Sequence, residues 1–157
     1  MAVNPDYAGR TYPASAPYEV SRVKIAEFAD AIGDPNPIYT DPAAARAAGH
    51  RDVIAPPTFA IVISMASSGA VMADPGLGLD YAMVVHGDQQ FSCTRPITAG
   101  DVIIAQTTIS GIRATRTLTM LNTETELRTA DGEVLGTARS MLVERAADPA
   151  GVSGVSS

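Results

Sequence analysis

Apolar residues in the first part of the chain recur at the spacing of a helix. Ser21, a residue type that caps helices, precedes a run whose apolar side chains fall at i, i+3, i+4 and i+7, and Gly33 follows the run. The stripe consists of Ile25, Phe28, Ala29 and Ile32. The spacing predicts a helix that buries this stripe and ends at Gly33.

Two further segments favour helices. Residues 42–48 begin with a proline, follow the candidate caps Thr40 and Asp41, and stop before Gly49, which predicts a short helix. Residues 57–72 also begin with a proline and carry no charge on any face. We therefore predict a longer helix over 57–72 that other elements cover on most sides.

The remaining pattern is typical of strands. Residues 82–94, 102–113, 117–128 and 134–144 are the long candidates, with turn-forming residues at 98–101 and 130–133 and a short strand at 18–20. The last three long strands can form a meander. One uncharged helix and long antiparallel strands curled around it predict an α+β fold.

Length and charge limit the class of protein. A chain of 157 residues favours one domain, and a net charge of -6 without a basic stripe argues against nucleic acid as a partner. The charge-free stretch 53–73 is interrupted by Pro56 and Pro57, so we expect no membrane span. The first residues have no basic-then-apolar leader, which favours a cytoplasmic location.

Cysteine and histidine are too scarce for most metal sites. Cys93 is the single cysteine, and His50 and His86 are the two histidines. We expect no metal and no cofactor, and we expect Cys93 to be a small core side chain and His50 to be exposed. The predicted boundaries are an irregular N-terminus at 1–7, one domain at 8–145 and a disordered tail at 146–157, with regular order beginning at Tyr18.

The most specific segment follows the first predicted helix. It runs from Gly33 to Tyr39 and places an acid, Asp34, an amide, Asn36, and the Tyr39 phenol in a loop stiffened by two prolines. Asp, Asn and Pro are also ordinary turn formers, and we expect Asn36 to tie the loop through side-chain to backbone hydrogen bonds. The residues alone leave both a turn and a site open.

This segment resembles the Gly-Asp-x-Asn-Pro-x-His signature of the MaoC-like acyl-thioester dehydratases, with Tyr39 at the histidine position. Residues 40–42, 54–59, 86–89, 95–97 and 100–101 also resemble that family. The resemblance covers about residues 8–145 and extends to small actinobacterial members, among them the non-catalytic subunit of the mycobacterial (3R)-hydroxyacyl-carrier-protein dehydratase. It implies a single hot-dog fold, an antiparallel sheet wrapped around one long central helix, paired into a homodimer or heterodimer with the acyl site between subunits.

The family's chemistry requires an acid and a base, which its Asp and His supply. Asp34 could orient or activate the departing water. Tyr39 cannot replace the histidine as a base, because the ordinary pKa of a phenol is about 10, although it can donate a hydrogen bond. Active hydratases present a glycine N–H to the thioester carbonyl where this chain has Pro56, and neither Pro56 nor Pro57 has that donor.

His86 is the candidate for a substitute base, and the adjacent Gly87 allows a bulge; the alternative is a structural role for His86 at the subunit seam. We also expect an acyl substrate to contact a set of loop and helix residues. These are Asn36, Tyr39, Pro56, Thr58 and Ser64.

These features favour a subunit that binds the acyl chain of an acyl-CoA or acyl-ACP thioester while a catalytic MaoC-like partner supplies the Asp and His pair. The first alternative is a self-sufficient homodimeric (R)-hydratase that uses Asp34 with His86. The second is a non-enzymatic acyl-thioester binder, and a thioesterase is a weaker option. The carrier and the acyl length stay open at this stage.

Overall fold

One antiparallel sheet forms most of the structure. The computed structural model describes residues 3–145, and its five strands follow the order β1-β3-β4-β5-β2. Each long strand begins and ends within two residues of its predicted bounds, and β3, β4 and β5 form the predicted meander. The strands are β1 (Tyr18–Glu19), β2 (Val84–Cys93), β3 (Val102–Ala114), β4 (Leu118–Thr129) and β5 (Val134–Arg145).

Three α-helices accompany the sheet within the described residues: α1 (Arg22–Ala31), α2 (Pro42–Ala47) and α3 (Ala60–Met72). Helix α3 packs on the inner face of the sheet, and Phe59 and Ile63 are buried there with Ile103 and Leu127. Burying each such side chain contributes roughly 1.5–3 kcal/mol. The curled sheet around one central helix is the expected α+β hot-dog fold. No helix of this part of the chain is long and apolar enough to cross a membrane.

The caps of the first two helices form as the sequence indicates. The Ser21 hydroxyl accepts a hydrogen bond from the backbone N–H of Lys24 at 3.1 Å, and the Asp41 carboxylate, rather than Thr40, accepts from Ala43 at 2.8 Å. The predicted burial of Ile32 is wrong, since this side chain is 48 % exposed. Helix α1 ends one residue earlier, so the last member of its stripe lies outside the core.

Helix α3 differs from its prediction in two ways. It begins at Ala60 instead of residue 57, because Phe59 N–H donates to Pro56 O and Ile61 N–H donates to Thr58 O in a tighter turn. No other element covers its outer face within the described residues, where Met65 is 65 % exposed. The prediction of cover on most sides is therefore wrong for a single chain.

The N-terminal segment is irregular but packed. Tyr12 N–H donates to Thr107 O at 2.9 Å, Thr11 forms an isolated bridge with Thr108, and Val3 and Tyr12 are buried. The prediction that order begins at Tyr18 is wrong, because backbone bonds to β3 hold this segment without any apolar period in its own sequence. The tail predicted at 146–157 lies outside the described residues.

A buried carboxylate joins the loop before β3 to its surroundings. Asp101 is 5 % exposed and accepts hydrogen bonds from Thr98 N–H at 2.8 Å, from Arg51 at 2.6 Å and from Arg95 at 2.9 Å. Arg95 also pairs with Glu133, which follows the turn after β4. One acid therefore fixes three chain segments.

We expect Asp101→Asn to lower the free energy of unfolding by about 3 kcal/mol, because the amide leaves two arginines without their buried partner. Urea denaturation measures the change. The matched control is Glu126→Gln, which removes an exposed pair with Arg128 and should cost less than about 1 kcal/mol. Equal effects of the two substitutions would contradict the role given to Asp101.

Candidate functional site

The loop after α1 is held by its own side chains. Gly33 has a φ of 71°, the left-handed conformation that lets the chain leave the helix. The Asp34 carboxylate then accepts a hydrogen bond from Asn36 N–H, and the Asn36 amide oxygen accepts one from Ile38 N–H, both at 3.2 Å. The side-chain to backbone hydrogen bond predicted for Asn36 is confirmed, and this bond caps the short 3-10 turn Pro37–Tyr39.

Tyr39 lies in this turn with only 6 % of its surface exposed. Burial raises the pKa of its phenol above the ordinary value, and the negative charge of the neighbouring Asp34 carboxylate raises it further. The phenol is therefore protonated at neutral pH. At this position the loop pairs a carboxylate with a hydrogen-bond donor and not with a base.

Tyr39 faces a small cavity at the head of α3. The cavity has a volume of about 410 Å³, and Pro56, Pro57 and Phe91 line it together with Tyr39 and Cys93. The two prolines bring no N–H to this wall. The prediction of a core position for Cys93 is wrong, since the side chain is exposed at the end of β2. Partial burial still raises the pKa of the thiol above its ordinary value.

A larger cavity of about 750 Å³ lies between α3 and the sheet. Thr58 and Ser64 line it from the start of the helix, and His86 lines it from β2. Phe91 lines both cavities, so the two spaces adjoin at this ring. Most of the remaining lining is apolar. It includes Phe28, Ile61, Met65, Met72 and Leu142.

His86 reaches the larger cavity because of an irregularity in β2. The pairing of β2 with β5 shifts between His86 and Asp88, so Gly87 forms the bulge that the sequence suggested. His86 Nε2 then lies 3.0 Å from the Ser140 hydroxyl. The bulge therefore directs the His86 side chain into the larger cavity.

The structure separates the candidate residues into two groups. Tyr39 and Pro56 line the small cavity, whereas Thr58, Ser64 and His86 line the large one. Asp34 and Asn36 line neither cavity, although Asp34 is a neighbour of Tyr39. Neither of these two cavities therefore contains both Asp34 and His86. Residues 3–145 also hold no group of three or more His, Cys, Asp or Glu placed for a metal ion.

Sequence reasoning missed several polar residues of the sheet. Thr123, Ser140 and Gln89 all line the larger cavity. They are neighbours across three strands, with Thr123 opposite Ser140 and Ser140 opposite Gln89. The sequence did show a polar residue at a core-facing position in each strand. Whether these residues are neighbours depends on which strands pair and in which register, which the sequence does not define.

Comparison with known proteins identifies the family. A family model described as FAS1-like, dehydratase domain region matches residues 7–138. The chain is 54 % identical over 151 residues to a UPF0336 protein of Thermobifida fusca, covering 96 % of this chain and 99 % of that one. It is 50 % identical over 148 residues to a UPF0336 protein of Streptomyces avermitilis, covering 94 % and 99 %.

Solved structures agree in fold. A MaoC-like dehydratase superposes with a TM-score of 0.81 at 28 % identity, covering 88 % of this chain, which spans 42 % of that protein. One chain of the HadBC (3R)-hydroxyacyl-ACP dehydratase complex of Mycobacterium tuberculosis gives 0.74 at 26 % identity, with coverage of 88 % and 97 %. The chain therefore belongs to the FAS1-like dehydratase-region family and shares the hot-dog fold of the MaoC-like dehydratases.

Proposed function

We propose that this chain is the acyl-binding subunit of a (3R)-hydroxyacyl-thioester dehydratase, and that a partner chain with a complete Asp and His pair carries out the chemistry. The observation that carries the proposal is the pairing of Asp34 with a buried, protonated Tyr39. The family membership and the fold supply the reaction class.

Loss of water from a 3-hydroxyacyl thioester requires one group to remove the Cα proton and one to protonate the leaving hydroxyl. A phenol whose pKa lies above its ordinary value is less than about 0.1 % ionised at neutral pH, so Tyr39 cannot act as the base. It can donate a hydrogen bond to Asp34. This use of Tyr39 leaves Asp34 without a proton-transfer partner in the loop.

The head of α3 adds a second deficit. As the thioester carbonyl gains negative charge, it needs hydrogen-bond donors, and the loss of one such donor typically lowers the rate roughly 100- to 1000-fold. Pro56 and Pro57 line the cavity beside Tyr39 and have no N–H to offer. Both deficits affect catalysis and neither prevents binding.

The larger cavity supports the binding role. Its volume of about 750 Å³ and its mostly apolar lining suit an acyl chain. It adjoins the small cavity at Phe91, so an acyl chain in it could lead toward the loop of Asp34 and Tyr39. The carrier, coenzyme A or a carrier protein, would then lie on the outer side of that loop.

The free edge of β2 offers a surface on which a partner chain can pair. Strand β2 is the last strand of the sheet, so one row of its backbone groups has no strand beside it within the described residues. Apolar side chains are exposed nearby, with Val85 at 54 %, Met65 at 65 % and Tyr81 at 71 %. The HadBC structure of Mycobacterium tuberculosis, one chain of which is 26 % identical to this protein, is a complex. We place the partner on this edge.

The first test measures hydration of crotonyl-CoA by ultraviolet absorbance. We expect no turnover by the purified chain, and activity when it is mixed with a MaoC-like chain from the same organism that carries both Asp and His. The rate of the mixture should exceed that of the partner alone at least ~10-fold, because the acyl chain gains its binding wall. Turnover by the chain alone that disappears in His86→Ala would instead support the self-sufficient hydratase.

The second test restores the missing base. We expect Tyr39→His to give measurable hydration of crotonyl-CoA by the chain alone, still roughly 100- to 1000-fold slower than a complete hydratase because the prolines remain. Tyr39→Phe is the matched control and should stay inactive. Wild-type activity that falls in Tyr39→Phe would show that the phenol itself takes part in the reaction.

The third test concerns pH. Folding raises the pKa of Tyr39, so the unfolded chain releases this proton first as the pH rises. The contribution of Tyr39 to stability is therefore complete below about pH 10 and is lost above it. Urea denaturation of the wild type and Tyr39→Phe should show a smaller alkaline loss of unfolding free energy in the variant. Identical alkaline losses would contradict the burial of a protonated phenol beside Asp34.

A further inference from the structure

A row of polar side chains crosses the inner face of the sheet inside the larger cavity. Thr123 of β4 is paired with Ser140 of β5, and Ser140 is paired with Gln89 of β2. All three line the cavity, and His86 joins the row through its 3.0 Å contact with Ser140. The row runs from the buried centre of the sheet to its free edge.

The helix carries matching polar groups on the opposite wall. Ser64 and Ser68 are one helical turn apart, and both line the same cavity. Ser64 is only 4 % exposed, so its hydroxyl is deep in the protein and not at the rim. Within residues 3–145 its one hydrogen bond is a long one of 3.4 Å, which it donates to Ile61 O. Hydroxyls therefore face the cavity from both sides.

The Thr123 hydroxyl is the group that points to a ligand. Thr123 is 3 % exposed, and its hydroxyl makes no hydrogen bond to another residue among 3–145; since no fully buried side-chain oxygen of this part lacks a partner, the hydroxyl is open to the cavity. The adjacent buried hydroxyls are different, since Thr107 bonds to Ser67 at 2.9 Å and to Thr125 at 2.8 Å. Water in the cavity can satisfy the Thr123 hydroxyl, and an apolar ligand that displaced this water would leave the hydroxyl unpaired.

Apolar groups lie on both sides of this polar row. Phe91 and Ala138 form the next pair toward the small cavity, where the Thr125 hydroxyl is already bonded to Thr107, and Leu142 lies one pair farther the other way, opposite His86. Alternate residues on a strand are about 6.6–6.8 Å apart, which is roughly five carbon atoms of an extended chain. A chain that enters past Phe91 would thus pass Phe91 and Ala138, then the Thr123 and Ser140 hydroxyls, and then Leu142 with His86 opposite it.

We infer that the larger cavity accepts an acyl chain that carries a hydroxyl or keto oxygen near its middle, in preference to a purely aliphatic chain. This inference rests on the proposed acyl-binding function. An oxygen in the chain would form a hydrogen bond with the Thr123 hydroxyl, whereas a methylene group would displace water from that hydroxyl and leave it unpaired. The substrate class is a mid-chain oxygenated acyl thioester.

The test compares binding of decanoyl-CoA with monohydroxydecanoyl-CoA thioesters in which the hydroxyl moves one carbon at a time along the middle of the chain. Calorimetry with the full chain, and with its complex with the catalytic partner, gives the affinities. We expect one hydroxylated thioester to bind at least ~10-fold more tightly than decanoyl-CoA. Thr123→Val should abolish this preference.

The matched control is Thr137→Val, because Thr137 lies on β5 with its side chain on the other face of the sheet, outside the cavity. It should leave the preference unchanged. If Thr123→Val does not fold, Ser140→Ala tests the same row at a half-buried position and should reduce the preference. Decanoyl-CoA binding as tightly as every hydroxylated thioester would overturn the inference and leave acyl binding intact. No binding of any thioester to the chain or the complex would overturn the proposed function itself.

Discussion

Helix α3 carries no charged side chain, and the rest of the structure depends on its contact with the inner face of the sheet. Phe59, Ile63 and Val71 are buried on this side of the helix along its whole length. Antiparallel strands must curl to cover such a helix, and a curled sheet leaves a space wherever small residues replace large ones. Ser64 and Ser68 are those small residues, so the same contact that holds the fold together also creates the larger cavity.

Local rules predicted a large part of this fold. The capping residues Ser21 and Asp41 act through hydrogen bonds to backbone groups two or three residues away, so the sequence contains the whole interaction. The start of α3, the exposed Ile32 and the packed N-terminal segment were not predictable in this way. The N-terminal segment depends on groups far along the chain, as the bond from Tyr12 to Thr107 illustrates, whereas α3 starts late because residues 56–61 form a tighter turn that no capping residue indicates.

The features of the candidate site also differ in whether local sequence could predict them. The tie made by Asn36 and the bulge at Gly87 are local, and both were visible in the sequence. The separation of Asp34 from His86 depends on how the loop after α1 and strand β2 are placed on the sheet. The polar row of Thr123, Ser140 and Gln89 depends on the register of three strands, which alternation within one strand does not define.

The bulge at Gly87 shows how readily a fold of this kind can gain or lose a cavity-facing group. A one-residue insertion in a strand reverses the faces of all residues on one side of it, and an edge strand tolerates the change because only one neighbour must adjust. With the bulge, His86 and Gln89 lie on the same face; without it, one of them would turn to the outside. A single inserted or deleted codon could therefore change the chemistry of the cavity wall while the central helix and its packing remain as they are.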